Sequence, residues 1–466
     1  MRRIFNVGVA AVVLAATVSG CRDFLKGNAL TTNPNSPSVV TADQLFVGVQ
    51  VANQGRYETY PYQLFPLWSQ QISGVARQWI TLADFGNDEF TSDGAFSGIY
   101  TAGGLVDIRA IEDSARAHNN RKFLGIARVY EALIIGDAAD IWGDIPYAQA
   151  LNAKTPPSLD PQASVFARVQ AVLDSAILDL PAGGAGPISR DFVYNNDATK
   201  YLAAAHTLKA RYYMHASKTA GGTYDAAALT AAKTQALLGI NSAAGDWMTL
   251  HSSTTGEENL LYGFLIDRAG DIDPGATLVN EINAAGATQL LAQYFTKNSA
   301  GGYQGSPPDR GGSNPSAFAV QVDTRFGIVT YAENQMILAE AQFRLGDPAG
   351  ALTTLNAYRA SQGEAALAVT GTSILTAVLR EKYIHIFYSP QPYFDYLRTC
   401  YPNLPLPAAS KLPYIPARLF YGYTERITNT NIPSVSAQSA HPANTNYPKN
   451  LVDPTGAACV GQRNRP

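Results

Sequence analysis

Apolar positions recur at helical spacing over much of this 466-residue chain. Phe123, Ile126, Ala127, Tyr130, Leu133 and Ile134 fall on one stripe, the pattern of a helix face that meets a core. The stripe stops at Trp142-Gly143-Asp144-Ile145-Pro146-Tyr147, where Gly and Pro end a helix. Val165, Val169, Val172, Leu173, Ala176 and Leu180 start the next one. Leu202, Ala205, Leu208, Ala210 and Tyr212 mark a third, with 225–238 as its partner. The clearest unit spans 329–362. There Ala332 to Ala341 leads through Leu345-Gly346-Asp347 to Ala349, Ala351, Leu352, Leu355 and Tyr358. A helix, a Gly-Asp turn and a second amphipathic helix in about 34 residues is the tetratricopeptide period. Looser pairs are expected at about 121–180, 198–238 and 371–398. Such units bury their faces by stacking, so the predicted fold is all-α, a helix-pair solenoid with long inserted loops.

Between the stripes the pattern changes. Thr41 reads as the N-cap of a helix over 41–56 with Leu45, Val49 and Ala52 on one face. Aromatic residues then crowd 57–100, where the spacing predicts a helix over 64–77, a loop at 84–88 and a helix from 96 to 117. Residues 241–328 are rich in Gly, Ser and Asn, with helical periodicity only in 277–297. The stretch 298–318 reads as an ordered binding loop. The tail, 399–466, has little periodicity but carries Leu412, Tyr414, Leu419, Phe420, Tyr421 and Tyr423, so it is expected to wrap the body.

The first residues add an address. Met1-Arg2-Arg3 is basic, 4–18 is mostly apolar, and Val18-Ser19-Gly20-Cys21 follows. This is the form of a bacterial lipoprotein signal, with cleavage before a lipid-bearing Cys21. The domain plan is then a signal peptide at 1–20, a lipidated leader at 21–40 and one ligand-binding domain over 41–466. The other reading is an ordinary secretory signal with a coincidental cysteine. No later run of 18 apolar residues predicts a membrane span.

Composition narrows the chemistry. A net charge of −3 gives no basic stripe for nucleic acid. Charged residues are only 15% of the chain, while Tyr alone numbers 25. That surface suits neutral, hydroxyl-rich ligands. With Cys21 lipidated, Cys400 and Cys459 remain as a possible disulfide, open from sequence alone. No CxxC or Cys/His cluster suggests zinc, and no cofactor is expected.

Enzyme signals are weak. A glycosidase needs two carboxyls facing across a cleft, but Asp137, Asp140 and Asp144 sit on one side with nothing opposite. They read as solvated or capping residues, and Asp144 as a turn residue that bonds backbone. The six His residues show no HExxH, and no GxSxG or P-loop exists. Asp84, Asp88 and Glu89 lack EF-hand spacing for calcium. For binding, flat rings match the apolar faces of sugars at low entropic cost. Candidates are Trp68, Trp79 and Phe96 in the early aromatic segment, and Tyr303 and Phe318 beside the mid-chain loop. Asn87, Asp309 and Arg310 could bond hydroxyls. Trp68 and Trp79, on predicted helices, also read as core; Trp142 and Trp247 are assigned to core.

The whole set resembles the SusD/RagB-like outer-membrane nutrient-binding lipoproteins. Cys21-Arg22-Asp23-Phe24-Leu25 with Asn33-Pro34-Asn35 is similar to the lipidated start of that family. Gly143-Asp144-Ile145-Pro146-Tyr147 resembles its "GDVPY" turn. Met336 to Ala341 with Leu345-Gly346 resembles the third repeat, and Arg380-Glu381-Lys382-Tyr383 with Phe394-Asp395-Tyr396-Leu397-Arg398 its "E…DLR" block. Pro416-Ala417-Arg418-Leu419-Phe420-Tyr421 with Glu425 and Asn429 resembles the closing stretch, except that Gly422 replaces the usual Pro. Ser389-Pro390-Gln391-Pro392 also replaces a small Gly-rich turn. Glu381, Arg398 and Asp395 are expected to form structural ion pairs. The resemblance implies a non-catalytic, lipid-anchored protein on the outside of the outer membrane. It implies capture of an oligosaccharide or similar nutrient for a SusC-like TonB-dependent transporter. The rivals are a solenoid adaptor that binds only protein and a surface glycan hydrolase.

Overall fold

The computed structural model describes residues 40–151, 155–188, 191–218, 222–310, 314–412 and 414–440. The expected signal peptide, Cys21 and Cys459 lie outside the described residues. Ten helices carry the architecture. They are α1 (Ala42–Glu58), α2 (Leu105–Ala117), α3 (Arg121–Trp142), α4 (Gln162–Asp179), α5 (Ala198–His215), α6 (Ala226–Ala236), α7 (Tyr331–Arg344), α8 (Pro348–Ser361), α9 (Thr372–His385) and α10 (Gln391–Thr399). Helix α3 packs on α4, α5 on α6 and α7 on α8; α4 also lies on α5, and α6 on α7. Helix α9 closes the stack on α7 and α8. Helix α10 packs on the short Leu64–Trp68 helix and on α5, tied to α9 by Lys382 Nζ at 2.7 Å from Asp395 Oδ2. This is a mostly helical, tetratricopeptide-like stack. The strands are short and form three two-stranded sheets.

Local chemistry explains the helix starts. Thr41 caps α1 in a reciprocal box with Gln44, Asn120 caps α3, Asp197 caps α5, and Asp347 caps α8 with Pro348 at its first position. On α1 the buried face is Phe46, Val49, Asn53 and Tyr57, rather than Leu45 and Ala52, which are half-buried. Helix α3 is buried from Phe123 to Trp142 apart from Arg128, as a central helix must be.

Buried charges then lock neighbouring pairs together. Arg211 on α5 grips Glu333 on α7 with bonds of 2.6 Å and lies 3.5 Å from Asp137 on α3. Asp137 also accepts from the Tyr212 hydroxyl at 3.2 Å, and Asp140 lies 2.8 Å from His215. The reading of Asp137 and Asp140 as solvated or capping is therefore corrected: both are buried between helices. Burial pushes the Asp137 carboxyl up to about 6. The expected Glu381–Arg398 pair is also re-partnered. Arg398 bonds Glu340 Oε2 at 2.7 Å and Asp395 at 2.8 Å, while Glu381 pairs with Arg359.

The regions outside the stripes differ from expectation in instructive ways. The helix expected over 64–77 ends at Trp68. Gln70 turns with φ 57°, and Ile72–Gly74 pairs antiparallel with Ile272–Pro274 from the far half of the chain. The helix expected over 96–117 is two, Glu89–Gly98 and α2. They split at Gly103, whose φ is +86° and whose added Cβ would meet Ala52 Cβ at 2.5 Å. Gly286, at φ 67°, likewise divides 277–297 into Ala276–Ala285 and Gln289–Tyr294. A helix at Leu260–Asp267 went unpredicted because nearly every position in it is apolar and no stripe stands out. The tail wraps the body up to the end of the described residues, burying Tyr414, Ile415, Leu419 and Tyr421.

Candidate functional site

The early aromatic segment, the mid-chain loop and the tail meet on one side of the helical stack. The loop leaves a two-stranded pairing of Phe295–Thr296 with Ala317–Phe318. Its near end is braced by Asn298, whose side chain accepts from Ala300 and Gly302 and donates to the Asn314 carbonyl at 2.9 Å. Its far side is sewn to the segment after the Ile272–Pro274 strand. Ser306 N donates to Pro274 O at 2.8 Å, Ala276 N to Ser306 O at 2.9 Å, and Ser306 Oγ to Asp273 at 2.6 Å. This approach requires Gly305, where a Cβ would meet Gly275 C at 2.4 Å, and Gly275 in turn lets Gln70 come close, where a Cβ would meet Gln70 O at 2.1 Å. Arg310 then clamps Asp84 with bonds of 2.9 and 3.1 Å, and Asp309 accepts from the Ala408 amide at 2.6 Å. The loop is thus ordered by the early segment on one flank and by the tail on the other.

Two adjoining cavities lie along this junction. One, of about 360 Å³, is lined by Trp68, Gln70, Ser73, Phe85, Thr277, Ser306 and Pro308 among others. The other, of about 480 Å³, is lined by Phe85, Asn87, Tyr414, Arg418, Phe420 and Gln438 with the neighbouring tail. Phe85 borders both. It holds φ 62° at the end of the Gln78–Ala83 helix and rests edge-on against Trp68 at 6.0 Å between ring centres. Arg418 donates to the carbonyls of Leu419 and Gln438 at 3.2 Å, and its guanidinium lies 5.2 Å from the Tyr421 ring. Burial lowers its proton affinity, against the pull of Tyr421 and Asp144. Flat rings, an amide and an arginine around a half-open cleft are chemistry for a hydroxyl-rich ligand. No Asp or Glu lines either cavity among the described residues.

The predicted site residues divide. Asn87 lines the cleft and is half-buried. Trp68 borders it but is 1% exposed, its indole donating to Leu82 O at 3.0 Å, so it is floor rather than platform. Trp79 is buried against Phe264, and Phe96 is enclosed by Tyr100, Trp142 and Tyr421. Core packing removes both from a ligand's reach. Arg310 is engaged by Asp84, and Asp309, which is exposed, accepts from the Ala408 amide through Oδ1. Tyr303 is half-buried in the loop with Lys297 beside its ring and is not among the lining residues of either cavity. Phe318 packs on Phe295 and Phe387 next to a third cavity of about 560 Å³. The sequence reading missed Phe85, Tyr414 and Phe420 as cleft residues. The only signal for Phe85 was its Asp-Phe-Gly-Asn turn, and the tail rings were read as wrapping.

Other assignments fall into place. Asp144 accepts from the Gln162 amide at 2.8 Å, which makes its turn a brace for α4. Asp84 is held by Arg310, Asp88 caps the Glu89–Gly98 helix, and Glu89 pairs with Arg426, so the suggested calcium ligands point apart. Trp142 and Trp247 are core. Cys400 is buried and disulfide-bonded.

No curated protein matches the chain. Solved structures do. A SusD/RagB family protein from Bacteroides thetaiotaomicron superposes with TM-score 0.67 at 21% identity, over 88% of this chain and 97% of that one. A chitin-binding protein gives 0.69 at 20%, over 90% and 100%. A chitin-binding SusD homolog from Flavobacterium johnsoniae gives 0.67 at 17%, over 87% and 96%. These share the fold. The family model described as starch-binding, associating with outer membrane, matches residues 34–422, and the chain belongs to this SusD-like family.

Proposed function

We propose that this protein is a lipid-anchored binding protein of the outer membrane that captures an oligosaccharide and passes it to a SusC-like TonB-dependent transporter. The observation that carries the reading is the cleft built where the early aromatic segment and the tail converge. It is edged by Phe85, Asn87, Tyr414, Arg418 and Phe420. Rings stack on sugar faces, and Asn87 and Gln438 offer donors and acceptors to hydroxyls. Glycoside hydrolysis needs two opposed carboxyls, and the cleft supplies none among its described lining. Capture without turnover is the reading that this lining and the SusD-like family support. The chitin-binding neighbours make N-acetylglucosamine oligomers the first ligands to try.

Cys21 carries the lipid in this reading. Its sulfur is then a thioether, which leaves Cys459 as the partner of Cys400. Export to an oxidising compartment suits that bond.

The test is binding, by calorimetry, of chito- and malto-oligosaccharides to protein lacking residues 1–21. Asn87→Ala and Phe420→Ala accompany the parent protein. Saturable binding weakened in both variants supports the reading. Binding to no glycan, with firm co-purification of a barrel transporter, would instead favour the protein-adaptor alternative. Release of shorter sugars would favour the hydrolase.

A further inference from the structure

Glu381 and His385 stand four residues apart on α9, so both face the same way. Glu364, just past α8, meets them. All three side chains are buried, with exposures of 1%, 4% and 0%. Arg359 takes one oxygen of each carboxylate: it pairs with Glu381 Oε1 and lies 3.1 Å from Glu364 Oε2. The other oxygens turn to His385 Nε2, at 3.0 Å from Glu364 Oε1 and 3.2 Å from Glu381 Oε2. Neither approach has hydrogen-bond geometry, so Nε2 and Glu381 Oε2 are left without such a bond. Buried polar atoms are seldom left so.

Those separations suit a metal. Donors about 2.0 Å from a tetrahedral ion lie about 3.3 Å from one another. We propose that Glu364, Glu381 and His385 form a binding site for a divalent transition-metal ion of the zinc type. One nitrogen and two carboxylate oxygens match that ion's preferences, and Arg359 offsets part of the carboxylate charge. Gln289, which donates to Glu364, and the Tyr358 ring, edge-on to His385 at 5.0 Å, orient the ligands from behind. The cavity of about 560 Å³ that His385 borders supplies a route in and space for a fourth ligand. The ion would pin α8 to α9 at the end of the solenoid, remote from the sugar cleft in sequence and lining.

The experiment uses untagged protein, stripped with chelator and titrated with Zn²⁺ and with Co²⁺. One equivalent should bind, cobalt should develop a visible ligand-field band, and X-ray absorption should show one imidazole with oxygen neighbours. His385→Gln and Glu364→Gln should each lower affinity more than tenfold. No saturable binding by the parent protein, or a shell of oxygen alone, overturns the site and leaves the cluster as an ion pair of protonated His385. Unchanged affinity in either folded variant overturns it as well.

Discussion

The solenoid helices and the segments inserted between them are held by different forces. In the solenoid, apolar faces stack, and buried ion pairs join both distant helices, Arg211 to Glu333 and Arg398 to Glu340, and consecutive ones, Arg359 to Glu381. In the inserted segments the chain is fixed by hydrogen bonds to backbone, by partly open pairs such as Arg310 with Asp84, and by close approach at glycine, as at Gly275 and Gly305. The first kind of order is cooperative and costly to break. The second is local, which leaves side chains such as Asn87 and Phe420 half-open beside a firm frame. Binding sites are commonly built that way, on loops placed by a scaffold.

The sharpest way to break this contrast is Glu340→Gln. Arg398 has a side chain with no exposed surface and would keep Asp395 as its one carboxylate partner, with the Tyr224 hydroxyl at 3.5 Å. Breaking a buried pair costs about 3–5 kcal/mol, and with Asp395 still beside Arg398 urea unfolding should show a loss at the lower end, about 3 kcal/mol. Burial acts to raise the Glu340 pKa, but Arg398 and Arg344 hold the carboxyl well below its usual range. Its contribution is therefore present above the unfolded value of 4.5 and is lost as pH falls. The inserted counterpart is Arg310→Ala. That pair is partly open, at 17% and 5% exposure, and losing its bonds to Asp84 should cost about 1–2 kcal/mol. Limited proteolysis should cut the 298–318 loop faster in the variant while the helical signal by circular dichroism stays. A larger global loss than that of Glu340→Gln would invert the comparison.

The same division decides what could be read from sequence. Helix pairs announce themselves in the spacing of residues such as Leu202, Ala205 and Leu208, because burial repeats with the helix turn. Asp395 could be named beside Arg398, as the 2.8 Å pair shows, but Glu340 and the Arg359 partner of Glu381 could not, since many acids and bases lie at suitable positions and only tertiary packing selects one. The strand at Ile72–Gly74 was hidden for a related reason: its partner, Ile272–Pro274, lies in the other half of the chain. Asn87 was found as a candidate because its turn signalled a loop. Trp79 and Phe96 were misjudged as platforms, because crowding of aromatics marks a core and a sugar site equally well. The cleft itself needs Phe420 from the tail beside Phe85 from the early segment, a pairing that no local pattern records.

A titration sharpens the scaffold side. Glu112 on α2 faces Glu131 on α3; burial first, then Glu131, pushes the Glu112 carboxyl up to about 8 against Arg109 and Arg116. The folded protein then keeps a proton that the unfolded chain releases above 4.5. Stability should fall as pH rises between those values and level off beyond the upper one. Glu112→Gln should flatten that slope and gain about 1 kcal/mol over the parent protein at pH 8, read by thermal melts across pH. An unchanged slope would place the shared proton elsewhere.

The smallest expected effect on stability, and the most telling for function, is at Tyr303. The ring is half-buried on a loop whose anchors are all other residues: Asn298, Ser306, Asp309 and Arg310. Tyr303→Ala should shift unfolding by no more than about 0.5 kcal/mol. Because Tyr303 is not among the residues lining the cleft, a short oligosaccharide filling that cleft should bind the variant as it binds the parent protein. A longer one that runs out along the loop would lose one stacking contact, about 1 kcal/mol, or roughly a fivefold drop in affinity. The comparison is therefore a series of chain lengths rather than a single ligand. A drop that begins with the shortest sugar would move Tyr303 into the primary site and the cleft to a supporting role. No drop at any length would return the ring to the scaffold, and leave Phe420 and Asn87 to account for capture.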